Sequence, residues 1–107
     1  MAPWDVCDFE FPPGRHPCVI IGSAEVIEHR NEVVILGCRT LREPRPPKKY
    51  EVVLDQEDGL DWMTLCRCDF VFTVPKERLG ARRGSVCAPR RREIVSRVLK
   101  CLAFAGV

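Results

Sequence analysis

The sequence predicts a mainly β domain that ends in one α-helix. Several short segments are rich in β-branched residues or alternate apolar with polar positions, as strands do. From Ile94 onward, apolar residues recur with helical spacing, which predicts one amphipathic helix over residues 90–105. Short strands followed by a helix are typical of a small twisted sheet or partly open barrel with the helix packed on it. We expect residues 1–107 to form a single domain with one modest core.

Five strands are predicted along the chain. They cover residues 6–11, 18–21, 32–38, 50–54 and 65–74. Residues 12–14 (Pro-Pro-Gly) end the first strand and Pro75 ends the last, because proline lacks a backbone donor and glycine suits turns. Residues 23–30 fit either a short helix or an irregular loop. The proline-rich, basic stretch 43–49 predicts a loop, and 55–59 predicts a turn whose carboxylates are solvated.

The distribution of charge is more informative than the net charge of +2. Basic residues gather in two stretches, which we call the first and the second basic cluster. The first contains Arg39, Arg42, Arg45, Lys48 and Lys49, and the second contains Arg82, Arg83, Arg90, Arg91 and Arg92. Clustered arginine suits a polyanion, since guanidinium pairs with phosphate in a bidentate fork. Solubilising charge on loops explains the same pattern equally well.

The 7 cysteines lie mostly within apolar runs, where a free thiol behaves as a small buried hydrophobe. With no signal peptide and no membrane-spanning segment visible, we expect a cytoplasmic protein in a reducing compartment. The Cys66-x-Cys68 pair is compatible with a zinc site, although the sequence lacks the second matching pair of structural zinc sites. Cys18 lies two residues from His16, so a catalytic cysteine with a neighbouring base stays an alternative. We expect neither metal nor cofactor.

Two dipeptides at predicted strand edges carry the candidate chemistry: Arg15-His16 and Arg39-Thr40. A ribonuclease that works without metal needs groups that move protons and cations that stabilise charge on the phosphorane. An imidazole such as that of His16 can act as acid or base near neutral pH. Arg15 and Arg39 can clamp the phosphate, and Thr40 can donate a hydrogen bond to it. Without further support, His16 also fits a histidine in a surface turn.

Four segments, taken in order, carry a resemblance to a known family. They are Trp-Asp-Val-Cys-Asp-Phe-Glu-Phe at 4–11, Gly-Arg-His-Pro-Cys-Val-Ile-Ile at 14–21, Cys-Arg-Thr at 38–40, and Thr-Val-Pro-Lys-Glu-Arg-Leu-Gly at 73–80. Together with the terminal helix, this order resembles the MazF/PemK family of toxin endoribonucleases. His16 stands where that family usually has its catalytic arginine, with Arg15 displaced by one residue. Thr40 matches the family's catalytic Thr or Ser only if one residue is inserted.

The resemblance implies an SH3-like small β-barrel of the CcdB/PemK type, a homodimer, and cleavage of single-stranded RNA without metal. It also implies a cognate antitoxin whose disordered tail covers the basic groove. On this reading His16 is general base or acid, Arg15 and Arg39 stabilise phosphate charge, and Thr40 orients the scissile phosphate. The residues expected to bind RNA are Lys48, Lys49 and Lys76, which would position the strand, and Asp69, which could accept hydrogen bonds from exocyclic amines.

Two other functions stay open from the sequence. One is a non-catalytic barrel that binds RNA or inhibits a protein target, as CcdB-type gyrase inhibitors do. The apolar tail 102–107 permits that reading, and it equally fits helix packing or a dimer contact. The other is a small protein that zinc stabilises and that has no enzymatic role.

Overall fold

A computed structural model describes residues 1–11 and 14–103. The strands are β1 (Asp5–Phe11), β2 (Gly14–Ile21), β3 (Glu32–Thr40), β4 (Glu51–Leu54), β5 (Thr64–Pro75) and β6 (Arg82–Ser85). The helices are α1 (Ala24–His29) and α2 (Ala88–Cys101), and short 3-10 turns occupy Gln56–Asp58 and Lys76–Arg78. No helix in these ranges is long and apolar enough to cross a membrane.

The six strands form one antiparallel sheet in the order β4-β5-β3-β2-β1-β6. The long β5 pairs with β4 through its first half and with β3 along most of its length. Its ladder with β3 is interrupted, since Leu36 lies opposite Val71 but Cys38 lies opposite Cys66. Such a bulge bends the strand and turns the sheet toward a half-barrel. The predicted mainly β fold with a C-terminal helix is confirmed.

Apolar side chains pack on both faces of the bent sheet. On one face, which we call the α2 face, Val19, Leu36 and Val52 form a core with Ile94 of α2. On the other, which we call the groove face, Cys18 and the neighbouring strand residues pack against α1. The prediction of a single core is therefore wrong. Side chains alternate between the two faces along each strand, and a helix covers part of each face. Apolar side chains are therefore buried on both faces.

The structure extends four of the five predicted strands and adds one strand. β2 begins at Gly14 rather than at residue 18, because its polar start pairs with β1 as far as Phe11. The ambiguous stretch 23–30 contains α1, where Ser23 accepts a hydrogen bond from the backbone N–H of Val26 at 3.2 Å. β6 was not predicted, since Arg-Arg-Gly-Ser has no strand pattern and depends on pairing with β1.

The predicted bounds of the C-terminal helix need correction at both ends. α2 begins at Ala88, two residues before the predicted start, and Pro89 lies in its first turn. Proline is tolerated there because the N–H groups of a first turn have no intrahelical acceptor. The helix ends at Cys101 rather than 105. Most of the apolar tail considered for a gyrase-type contact, residues 104–107, lies outside the described residues.

The prediction of a solvated acidic turn is wrong for Asp58, whereas Glu57 is exposed as predicted. Asp58 is 1% exposed, and its carboxylate accepts the backbone N–H of Cys87 at 2.8 Å, just before α2. Arg90 donates to Asp58 Oδ2 at 2.5 Å and to Asp55 Oδ1 at 2.7 Å. We call Asp55, Asp58 and Arg90 the α2 clamp. It fixes the start of α2 to the turn, and the Arg90 hydrogen bond lowers the pKa of Asp55.

Other arginines of the second basic cluster also have partners within the chain. Arg82 pairs with Asp5 at 3.0 Å, and Arg83 pairs with Asp8 at 3.4 Å. Arg91 donates to the carbonyl oxygen of Val86 at 2.6 Å. Counting Arg90, four members of this cluster therefore contact β1, the segment directly after β6, or the turn before β5. The alternative prediction of free charge on loops is wrong for these four residues, which lie in β6 and α2 and have partners within the chain.

Candidate active site

One groove of about 370 Å³ combines residues of the first basic cluster with the bent part of β5. Its lining contains five cations, two carboxylates and a tyrosine. These are Arg39, Arg45, Lys48, Lys49, Arg67, Glu51, Asp69 and Tyr50. We call this the basic groove. Four predicted site residues, Arg39, Lys48, Lys49 and Asp69, meet in it although they come from three separate segments.

Glu51 shapes the loop that carries the lysines. Its carboxylate accepts two hydrogen bonds from Arg45, at 2.8 and 2.9 Å, and one from the backbone N–H of Lys48 at 2.7 Å. These contacts, with the Arg45 hydrogen bond first among them, lower the pKa of Glu51 to about 2. Arg97 of α2 adds a hydrogen bond to the carbonyl oxygen of Lys49. The loop is thus fixed at several points, and its lysine side chains line the groove.

The strand register decides which predicted catalytic residues share the groove face. Cys18 lies opposite Gly37 at the end of the β2–β3 ladder, and His16 and Arg39 each lie two residues beyond this pair along their strands. Side chains alternate along a strand, which leaves His16, Cys18, Gly37 and Arg39 on the groove face. His16 lies opposite Phe9, which belongs to the core of that face.

Arg15 and Thr40 point to the other side. Each is one residue away from a groove-face position, and a shift of one residue reverses the face. Thr40 lies opposite Thr64 at the end of β3, and Arg15 lies opposite Glu10. The structure therefore brings His16 and Arg39 to one face, and Arg15 and Thr40 to the other.

Lys76 lies away from the basic groove. Its ammonium group donates to the carbonyl oxygens of Ile27 at 2.5 Å and Glu28 at 3.3 Å, at the end of α1. A cation there satisfies carbonyls that have no partner within the helix. The structure gives this side chain a role in holding α1 to the turn after β5, and does not bring it to the predicted RNA site.

The cysteines considered for chemistry are buried thiols. Cys66 and Cys68 lie in the core of the α2 face, where hydrogen bonding and burial raise the pKa of both. Burial raises the pKa of Cys18 to about 12, so its reactive thiolate is scarce at neutral pH. Within residues 1–11 and 14–103, no three His, Cys, Asp or Glu side chains form a group that could hold a metal ion.

Arg67 and Glu51 were not predicted as parts of the site, and Arg45 was expected only as a member of the first basic cluster. For Arg67, the signal was the alternation around Cys66 and Cys68: two thiols in the core place the arginine between them on the opposite face. For Glu51 and Arg45 no local signal exists. Their ion pair depends on how the loop folds back on the start of β4.

The family model for PemK-like, MazF-like toxins of type II toxin–antitoxin systems matches residues 6–103. Among solved structures, the fold is similar to a mycobacterial endoribonuclease in complex with its cognate antitoxin (TM-score 0.81, 20% identity, covering 100% of this chain and 99% of that one).

It is also similar to the Mycobacterium tuberculosis toxin MazF-mt6 (TM-score 0.78, 20% identity, 91% and 94% covered). The MazE–MazF structure from Deinococcus radiodurans has a TM-score of 0.76 at 14% identity, with 98% and 97% covered. No curated protein sequence matches the chain significantly. Because the family model spans most of the chain, this protein belongs to the PemK-like, MazF-like toxin family of type II toxin–antitoxin systems.

Proposed function

We propose that the protein is a toxin endoribonuclease that cleaves single-stranded RNA at the basic groove, in a sequence-specific manner and without a metal ion. One observation carries the proposal: in a chain of this toxin family, a groove lined by five cations includes Arg39, and strand alternation puts Arg39 on the same sheet face as His16. The similar mycobacterial structures, described as endoribonucleases, support the same activity.

The chemistry assigns one step to each side chain. A base removes the proton of the 2′-hydroxyl, whose oxygen attacks phosphorus while the bond to the 5′-oxygen breaks. The products are a 2′,3′-cyclic phosphate and a 5′-hydroxyl, which takes up a proton. His16 moves one of these protons, and Arg39 stabilises the charge on the phosphorane. Lys48 and Lys49 hold the neighbouring phosphates, and Asp69 accepts hydrogen bonds from base amines.

Arg15, Thr40 and Lys76 have a weaker place in this mechanism. Strand alternation puts Arg15 and Thr40 on the face opposite to that of His16 and Arg39. Lys76 is engaged by the carbonyls of α1. We therefore propose His16 and Arg39 as the principal catalytic pair. The roles suggested for the other three residues stay predictions.

Partners follow from the family and from one exposed surface. A type II toxin has an antitoxin, and we propose that an antitoxin segment with acidic residues covers the basic groove.

We also propose a homodimer. The observation in its favour is an apolar stripe on α2, where Val95 is 45%, Leu99 67% and Leu102 47% exposed. A concentration series in light scattering, with Leu99→Lys as the variant, tests the dimer.

The activity is tested by incubating the purified protein with a long single-stranded RNA in excess chelator and mapping both ends of every fragment. We expect discrete cuts at a short motif, with cyclic phosphate on one side and 5′-hydroxyl on the other. RNA that stays intact would overturn the proposal. RNA that is bound but uncut would favour a non-catalytic binding module of the same fold.

A further inference from the structure

Arg67 and Phe70 meet in a way that a regular strand does not allow. Residues three apart on a strand point to opposite faces. Here the guanidinium carbon of Arg67 lies 4.5 Å from the centroid of the Phe70 ring. The contact is possible because residues 67–70 fall within the register shift of the β3–β5 ladder. A bulge of this kind redirects side chains, and here it brings a planar cation onto an aromatic face.

The ring beneath the guanidinium is held by two neighbours. Phe72 packs against it edge to face, with ring centroids 4.1 Å apart. Gly37 of β3 lies under both rings, and a Cβ at that position would be 3.3 Å from Phe70 Cδ1. The absence of a side chain at Gly37 lets the rings lie close to the strand. The Phe70 ring is thus a fixed support.

Arg67 is a partly exposed cation of the basic groove. Its Nε lies 3.9 Å from the carboxylate of Asp69, which partly offsets its charge, and its side chain is 42% exposed. It also lines the basic groove together with Lys48 and Lys49. A guanidinium positioned over a ring, beside a row of cations, matches the way single-stranded nucleic acids are bound: cations track the backbone and planar groups stack on bases.

We propose that Arg67, stacked on Phe70, is the platform on which one base of the RNA stacks, an inference that rests on the proposed RNA-cleaving function. The base lies on the outer face of the guanidinium, so that base, guanidinium and ring form three layers. Asp69 at the edge of this platform accepts a hydrogen bond from a base that carries an exocyclic amine. Adenine, guanine and cytosine meet this requirement, and uracil does not.

The test uses RNA whose cut site has been mapped, made uncleavable with 2′-O-methyl groups, and replaces one nucleotide at a time with an abasic one. Binding is measured by fluorescence anisotropy for the wild type, Arg67→Lys and Phe70→Leu. Arg67→Lys keeps the charge but removes the plane, and Phe70→Leu keeps an apolar side chain but removes the ring. Arg78→Lys is the matched control, since Arg78 lies 5.4 Å from the Phe9 ring and does not line the basic groove.

We expect a single abasic position to weaken wild-type binding by roughly five- to 150-fold, the range for one stacked base. At that position Arg67→Lys and Phe70→Leu should bind intact and abasic RNA alike, whereas Arg78→Lys should behave as wild type. If both variants keep the full wild-type sensitivity at every position, the platform is wrong while the ribonuclease proposal stands. If the wild type neither binds nor cuts RNA, the proposed function fails and the platform with it.

Discussion

The two basic clusters of this chain have similar composition but differ in the contacts that their side chains make. In the second cluster, four arginines find partners inside the molecule, and Arg90 reaches two carboxylates of which one is 1% exposed. In the first cluster, Arg45 pairs with Glu51, while Arg39, Lys48 and Lys49 line an open groove. The two clusters differ in the number of carboxylates that lie near their cations. The fold brings acidic residues to the second cluster and leaves the first with a surplus of positive charge.

This comparison indicates how the same residue types serve stability in one region and recognition in the other. A paired cation that is removed leaves a buried carboxylate without its partner, which costs folding free energy. A groove cation that is removed leaves water in its place and changes little in the fold, but it weakens attraction for a polyanion.

The largest expected effect is that of His16→Ala on cleavage. We expect kcat to fall by about 100- to 10,000-fold, the usual contribution of a group that moves a proton in the transition state. Arg15→Ala is the matched control, because Arg15 is the next residue along β2 and lies on the opposite face. Its loss should be much smaller. Equal losses for both variants, with circular dichroism showing both folded, would contradict the assignment of His16.

Arg39→Ala should lower cleavage by about 100- to 1,000-fold, as expected for the loss of one group that stabilises a developing negative charge. The free energy of unfolding should change by less than about 0.5 kcal/mol, because Arg39 is an exposed residue at the end of β3. Single-turnover kinetics and urea unfolding of the same preparation measure both quantities. A large loss of stability with little loss of activity would place Arg39 with the structural arginines.

Arg90→Ala should show the opposite result. Removing it leaves the buried carboxylate of Asp58 without its cation, and we expect a loss of about 3 kcal/mol in the free energy of unfolding. Cleavage per folded molecule should be unchanged. The exposed Arg92, two residues further along α2, provides the control, since Arg92→Ala should leave the urea midpoint within error. An Arg90→Ala variant as stable as the wild type would show that the α2 clamp contributes nothing net.

A smaller effect is expected in the salt dependence of RNA binding. Each phosphate contact on a single strand contributes about 0.7 to the slope of log affinity against log salt concentration. Lys49→Gln should lower the slope by about that amount. Arg82→Gln should leave it unchanged, because Arg82 pairs with Asp5. A salt titration of an uncleavable RNA measures both, and equal changes in the two variants would remove the distinction between the clusters.

An effect confined to acidic pH concerns the Glu51–Arg45 pair. The pKa of Glu51 is about 2 in the folded protein against 4.5 ordinarily, so its contribution to stability is complete above about pH 4.5. As the pH falls from 4.5 toward 2, the unfolded chain takes up the proton first and the contribution is lost. Urea unfolding across this range should show a shallower decline for Glu51→Gln than for wild type. Parallel curves would contradict the lowered pKa.

The elements that the sequence predicted best are those whose signal is local. The β-branched runs of β3 and β5 and the apolar stripe of α2 gave the right element type with ends that differ by a few residues. β6 and the α2 clamp were missed, because each depends on a partner distant in sequence. No local pattern indicates that Asp58 will be buried under Arg90, or that Arg82 will pair with a residue of β1.

The candidate site was predictable in its charges and not in its geometry. The basic loop and the strand carrying Asp69 were found from composition and from the family resemblance, and the structure brings them together. The face of each side chain was not predictable at the strand edges, where one residue separates His16 from Arg15. Lys76 was predicted to bind RNA on the same grounds, but its contact with a backbone carbonyl of α1 could not be predicted from the sequence.

The most direct test of the central claim, that the first basic cluster and not the second meets RNA, is hydrogen exchange of the wild-type protein with and without a 2′-O-methylated RNA. The methyl group removes the attacking hydroxyl, so the complex persists during the measurement. We predict slower amide exchange in peptides spanning 37–51 and 64–70, with little change over 82–92. Protection centred on 82–92, with the groove peptides unaffected, would contradict the account.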